Sequence, residues 1–196
     1  RGIREANIVG EGIGLAMRGF RPIAEIQYLD YLMFALQTLS DDLATVSYRS
    51  VGKQLAPLIV RTRGHRLEGM WHAGSPMGMI LNSLKGMLVL TPRNMVQASG
   101  MYNTLMSCTD PALIIEPLNA YRLKEKEPLN LGEFTVPLGK IEIINPGTDI
   151  TVVSYGSTLK LVEKTISELE KNNINIELID IQSLIPVSYT HLTLPT

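Results

Sequence analysis

Apolar residues fall on almost every side of residues 3–19, IREANIVGEGIGLAMRG. Ile3, Ile8, Val9, Ile13, Leu15, Ala16 and Met17 leave no broad polar face, and a helix apolar all round is normally buried. The pattern therefore predicts a buried helix. Gly10, Gly12 and Gly14 interrupt it at a cost in helix stability relative to alanine. They predict that another backbone or a ligand comes close. Glu5 stands in the first turn. It reads either as a carboxylate complementing the positive end of the helix dipole at a wet helix start, or as a buried carboxyl that handles a proton.

The rest of the chain alternates between two periodicities. Residues 21–27, RPIAEIQ, predict a buried strand, 28–30 a turn, and 31–45 a second helix carrying Leu32, Phe34, Ala35, Leu36 and Leu39. Residues 57–62 predict a strand, 63–76 a polar glycine-bearing loop, 77–84 a short helix and 87–90 a strand. Asn94 caps a longer helix reaching about Cys108. Residues 112–116, ALIIE, predict a strand that delivers Glu116 at its carboxyl end. Residues 1–117 thus predict an α/β fold, a parallel sheet covered by helices on both faces in three layers. Residues 118–147 are charged and broken by proline and glycine, and read as a linker with one extended segment at 139–144. A second α/β unit follows over 148–186, with a strand at 149–154, a turn at Gly156, Ser157 capping a helix over 158–171, and a strand at 175–179. It reads as truncated after one βαβ unit. Residues 187–196, VSYTHLTLPT, match one reading frame of a transposase adapter used in sequencing libraries. They are read as a scar, and His191 with them.

Composition narrows the function classes. The net charge of −1 over 196 residues gives no footprint for nucleic acid or an anionic membrane surface. No run of apolar residues is long enough to span a bilayer. The single cysteine, Cys108, rules out a disulfide within the chain, and a cytoplasmic protein is the expectation. No spacing of a zinc site, a phosphate-binding lysine loop or a nucleophile elbow occurs, and no metal ligand set is assigned. GEGIG at 10–14 lies inside a helix and so is not a dinucleotide fingerprint. YGS at 155–157 reads as a plain strand-to-helix turn. The loop at 63–76 concentrates unusual chemistry. It holds His65 and His72, two of the three histidines, and Trp71, the only tryptophan. A loop of that length without structure of its own is usually functional or disordered, and its aromatic content argues for function.

The order of the segments carries more than any one of them. IREANIVGEGIGLAMRGFRPIAEIQYLDY, PLIVRTRG, WHAGSP, ALIIEPLNAYR and DITVVSYGS, in that order, resemble the thiamine diphosphate-dependent transketolase-like superfamily. The resemblance is to the β-type half of the decarboxylating component of 2-oxo acid dehydrogenase complexes, branched-chain and general. It runs from Ile3 to Pro186 and implies a pyrimidine-binding domain followed by the start of a transketolase-type C-terminal domain. Glu5 then falls on the glutamate that hydrogen-bonds the aminopyrimidine ring, and Tyr31 on an aromatic beside that ring. His72, in WHAGSP, falls on the histidine of the family's YHSQSP loop beside the reacting carbon. Arg61, Arg63, His65 and Arg66 are candidates for holding a 2-oxo acid carboxylate. HAGSP in place of HSQSP removes a glutamine contact. The segment around 108–111 is shorter than in branched-chain β subunits, which puts their monovalent cation site in doubt.

The implied activity is oxidative decarboxylation of a 2-oxo acid, with the acyl group passed to a lipoyl-bearing acyltransferase. Nothing resembles the segment that holds the diphosphate through magnesium. Magnesium is therefore expected on an α-type half, either a separate subunit or an upstream part of the same chain, with a β–β dimer as the assembly. Rival readings are a transketolase or 1-deoxyxylulose-5-phosphate synthase, and a β-type assembly domain without catalysis.

Overall fold

In the computed structural model, residues 2–65 and 69–187 are described. Two sheets organise them. The larger has five strands in the order β1-β2-β4-β3-β8, formed by β1 (Ile23–Ile26), β2 (Ile59–Gly64), β3 (Leu88–Leu90), β4 (Ala112–Pro117) and β8 (Ser183–Ile185). The first four run parallel and β8 runs antiparallel against β3. The smaller has β5 (Glu142–Asn145), β7 (Ile176–Asp180) and β6 (Ile150–Ser154) in that order, with β6 parallel and β5 antiparallel to β7.

The central strands are apolar because both of their faces are covered. Every residue of β4 is buried. Its Leu113 and Ile115 join one core, with Val9 and Ala16 of α1 (Glu5–Met17) and Ile80 of α3 (Met77–Ser83). Its Ala112 and Ile114 join the other, with Met101 and Leu105 of α4 (Met95–Met106). Period-two alternation along one strand thus feeds two helical layers, and the expected three-layer α/β architecture is observed. Asn94 caps α4 as expected, its side chain accepting from the Gln97 backbone at 2.8 Å.

Several expectations are corrected. The helix at residues 3–19 forms, but only Val9, Gly12 and Ala16 are buried. Gly12 does allow a close approach, since a Cβ there would come within 2.8 Å of Leu58, whereas Gly10 and Gly14 face open space. Strand β1 is also half-covered. It lies at the sheet edge, and Ile23 and Glu25 are exposed. Residues 31–45 do not form one regular helix. A 3-10 segment, Leu29–Ala35, buries Leu29, Leu32 and Ala35 at its own period of three. A π-wound segment, Thr38–Leu43, then buries Leu39 and Leu43 four apart, before the short α2 (Val46–Arg49). The changes of winding keep successive leucines on the core side.

The stretch read as a linker is folded onto the first unit. Val136 is buried, its backbone N–H donating to Gly100 at 3.1 Å, and Asn103 donates to the carbonyls of Leu131 and Phe134. Ser157 does not cap the following helix. A 3-10 turn, Gly156–Thr158, intervenes before α5 (Leu159–Leu169), and the Ser157 hydroxyl is buried without a hydrogen-bond partner. Strand β8, not expected from the sequence, returns the chain to the first sheet. A polar cluster joins the two sheets there. Arg93 bonds Glu142 at 2.6 Å and Asp180 at 2.9 Å, and Gln97 reaches Asp180 and Gln182 at 3.1 and 2.7 Å. No helix among the described residues is long and apolar enough to cross a membrane. The proposed scar at 187–196 lies, beyond residue 187, outside the described residues.

Candidate functional site

Ligands in open α/β sheets collect beyond the carboxyl ends of the strands. There β1 gives way to Tyr28, Asp30 and Tyr31, and β2 ends with Arg63 and Gly64. The loop at residues 69–76 folds back over this corner. His72 lies flat against Tyr28, with ring centroids 3.7 Å apart and planes 8° from parallel. Tyr31 meets His72 edge-on at 5.4 Å and 82°, and meets Tyr28 edge-on at 5.9 Å. The Arg63 guanidinium carbon lies 4.6 Å over the Tyr28 ring, a cation–π contact. His72 Nδ1 is 3.4 Å from Asp30 Oδ2. The fit requires Gly74, because a Cβ there would run into the Asp30 carboxylate. His72 itself has φ of 55°, in the left-handed region that is uncommon outside glycine.

Tyr31 also belongs to a neighbouring cleft of about 580 Å³, lined by Ile3, Glu5, Asn7 and Phe34 among others. So the structure brings together three of the residues singled out from the sequence. Glu5 and Tyr31 share the cleft, and Tyr31 touches His72. Its lining mixes the apolar and aromatic side chains of Ile3, Ala6, Tyr31 and Phe34 with the polar Arg4, Glu5 and Asn7 around the start of α1. Glu5 is half-buried, which in this chain by itself accords with the wetter helix start of its two readings.

The other candidates separate. Arg63 stays with the aromatic group. Arg61 is committed elsewhere. It bonds Glu116 at 2.7 Å, Tyr121 at 3.0 Å and Glu25 at 3.3 Å. Glu116 is buried and also accepts from Tyr102 at 2.7 Å and from Tyr121. Burial first, and the Glu116 carboxylate second, push both phenols up, Tyr121 to about 12, which keeps them as donors. This is an internal network that engages the Arg61 guanidinium with Glu116, Tyr121 and Glu25. His65 is buried, with Nδ1 3.1 Å from the Ser75 hydroxyl and its ring stacked on Tyr155 at 5.0 Å. It is not part of the aromatic group. Arg66 lies outside the described residues. Among the described residues no cluster of three or more His, Cys, Asp or Glu is placed to hold a metal ion.

Tyr28 and Asp30 are members of the site that sequence reasoning passed over as a turn. Their signal was positional. They follow closely on a strand's carboxyl end, one residue either side of Leu29, which enters the core.

Comparison with known proteins agrees with this fold. Residues 1–124 match the family described as "Transketolase, pyrimidine binding domain", and residues 139–193 match "Transketolase, C-terminal domain". The chain is 32% identical over 187 residues to the pyruvate dehydrogenase E1 component subunit beta of Acholeplasma laidlawii. It is 31% identical over 186 residues to the 2-oxoisovalerate dehydrogenase subunit beta of Bacillus subtilis (strain 168). Each match covers 94% of the chain, and the chain spans 57% of the length of each relative. A solved structure titled "Split gene transketolase, inactive beta4 tetramer" superposes with a TM-score of 0.79 at 19% identity, over 97% of this chain and 58% of that one, which speaks for the fold alone. The chain belongs to the transketolase pyrimidine-binding-domain family, with a transketolase C-terminal-domain segment behind it.

Proposed function

We propose that the cleft and the aromatic group form the pyrimidine side of a thiamine diphosphate site in the β-type half of a 2-oxo acid dehydrogenase. The observation that carries the reading is that Glu5, Tyr31 and His72 form one continuous surface. Glu5 and Tyr31 line the same cleft, and Tyr31 lies against His72. The relatives at 31% and 32% identity bear the names of branched-chain and pyruvate enzymes, so the substrate class is a 2-oxo acid of either kind.

The residues present fit the cofactor. A flat heteroaromatic ring carrying basic nitrogens needs an aromatic face and a carboxyl at its edge, and Tyr31 and Glu5 supply both. Thiamine diphosphate, when bound, would supply a nucleophilic carbon and an electron sink for decarboxylation of a 2-oxo acid. Glu5 would hold a proton at the pyrimidine edge. Tyr31 would fix the tilt of the ring. His72 would give or take a proton at the substrate oxygen, and Arg63 would face the substrate carboxylate. The magnesium and diphosphate contacts are assigned to an α-type half, and acyl transfer to a lipoyl-bearing acyltransferase. The half-covered helix α1 supports such a shared site. Leu15 and Met17 are exposed on it, an apolar face that a second β-type copy or the α-type half would cover.

The test is decarboxylation of pyruvate and of a branched-chain 2-oxo acid with thiamine diphosphate and magnesium. The encoded β-type polypeptide is assayed alone and co-produced with an α-type half. Turnover is expected only in the pair. Turnover by the β-type polypeptide alone, or none in a correctly assembled pair, overturns the reading.

A further inference from the structure

We propose that Asp30 is a positioning residue for His72. It faces Nδ1, selects the tautomer with the proton there, and leaves Nε2 as the nitrogen that meets the reacting atoms. The inference deepens the functional reading above and rests on it for its kinetic part only.

Four observations converge on the imidazole. Asp30 Oδ2 is 3.4 Å from Nδ1, within ion-pair range and longer than an ordinary hydrogen bond. Tyr28 lies parallel to one face of the ring, and Tyr31 meets it edge-on, so the ring's plane and tilt are both fixed. Gly74 leaves space that the Asp30 carboxylate fills. The left-handed backbone at His72 is held although a histidine pays for that conformation, and such outliers gather where a side chain must be aimed.

A neutral imidazole has one N–H and one lone pair, and the partner of one nitrogen decides the role of the other. A carboxylate is acceptor-only when ionised, so beside Nδ1 it favours the proton on that nitrogen. Nε2 then carries the lone pair. A proton arriving at Nε2 makes an imidazolium whose charge Asp30 offsets, and the same proton leaves from Nε2. Nothing is oxidised or reduced, and no other bond changes. The arrangement is held by three residues on one turn and by a loop glycine, which makes it a property of the chain itself.

The first readout needs no cofactor. Histidine 15N shifts are recorded on the chain at a pH where the imidazole is neutral, with His65→Asn and His72→Asn used to assign the signals. His72 is expected mainly in the Nδ1–H form. Asp30→Ala should shift it toward the Nε2–H form, and Gly74→Ala, which displaces the carboxylate without removing it, should do so in part. Asp30→Asn keeps an acceptor oxygen and should retain the Nδ1–H form. A predominantly Nε2–H wild type, or equal tautomer ratios in wild type and a folded Asp30→Ala, overturns the inference. If Asp30→Ala fails to fold, Gly74→Ala decides by the same criterion. The second readout is kinetic, in the co-produced pair. Asp30→Ala should lower kcat on the order of a hundredfold, the scale of a misaimed group, with the cofactor's Kd unchanged. A kcat within twofold of wild type overturns the positioning role. Absence of turnover in the wild-type pair would instead sink the functional reading and leave the tautomer result standing.

Discussion

His65 and His72 sit seven residues apart on one loop, both with left-handed backbones, at φ of 49° and 55°. Their surroundings differ in every respect that matters. His65 is buried. Its Nδ1 meets a serine hydroxyl, its ring stacks on Tyr155 of the second unit, and its Nε2 has no hydrogen-bond partner of ordinary geometry. His72 is partly open to solvent, faces a carboxylate and lies between two tyrosines beside the cleft. Ser75, the partner of His65, comes three residues after His72, so the His65–Ser75 contact ties together the ends of the loop that carries His72. One histidine anchors the loop against the second unit and the other is displayed by it. The residue type and the backbone are shared. What separates the anchor from the histidine proposed for chemistry is the partner: an uncharged hydroxyl and a buried wall in one case, a carboxylate beside a cleft in the other.

The sharpest way to break this comparison is the same substitution at both positions. Asparagine tolerates the left-handed region better than most residues, so it removes the imidazole without adding backbone strain. His72→Asn in the assembled pair is expected to lower the decarboxylation rate by about a hundredfold to ten-thousandfold, the usual range for a lost proton-transfer group. His65→Asn should leave the rate within a fewfold and lower the unfolding midpoint instead. Steady-state rates and thermal unfolding of the two variants check both halves. A larger loss of rate at His65 than at His72 would reverse the assignment.

A smaller effect is expected where the second unit meets the anchor. Gly156 has φ of 57°, and a Cβ there would lie 2.7 Å from His65 Cδ2. Gly156→Ala adds both a left-handed backbone penalty and a contact with a buried ring, together about 1–3 kcal/mol of lost stability. Denaturant unfolding of the variant measures it. A change below about 0.5 kcal/mol, the range of an ordinary surface substitution, would mean that the His65–Tyr155 stack is not a tight seam.

How much of this was legible in the sequence depended on whether the deciding contact was local. The β4 segment, ALIIE, announced a strand buried on both faces by composition alone, and the Asn94 cap needed only its own first turn. The winding at residues 29–43 was misread as one helix because its leucines change spacing from three to four, a shift that a fixed period averages away. Strand β8 was missed because it has three residues, and its partner Leu90 lies more than ninety positions earlier. The burial of α1 was overstated because hydrophobicity marks area to be covered and does not say by which chain. Glu5, Tyr31 and His72 were singled out through the resemblance of their motifs, and the structure places them on adjoining surface. Tyr28 and Asp30 were not, since their significance appears only when a loop forty residues later folds onto them. The internal partner of Arg61 was hidden for a related reason. An arginine on a buried strand needs a carboxylate, and Glu116, two residues beyond its register partner Ile114 on β4, supplied it from within.

The smallest expected effect is a pH dependence that belongs to the anchor. Burial pushes the His65 imidazole below its ordinary 6.5, opposed in part by the Tyr155 backbone. The unfolded chain therefore binds a proton at this position before the folded chain does. Stability rises with pH wherever the unfolded state holds more protons. The contribution of His65 is thus fully present above about pH 6.5 and is lost as the pH falls from there through the lowered folded value. Asp180 works in the opposite sense. Burial holds its carboxyl above its ordinary 3.8 despite Gln97 and Arg93, so acidification through its range favours the fold. Subtraction removes that background, because wild type and His65→Asn both keep Asp180. Unfolding midpoints of the two proteins, measured in steps from pH 7.5 downward, should run parallel above 6.5 and converge below it as wild type loses its advantage. A constant separation across the whole range would mean that the His65 ring is protonated as readily inside the fold as outside it, and the wall of Tyr155 and Gly156 would have to be looser than the stacking distance of 5.0 Å implies.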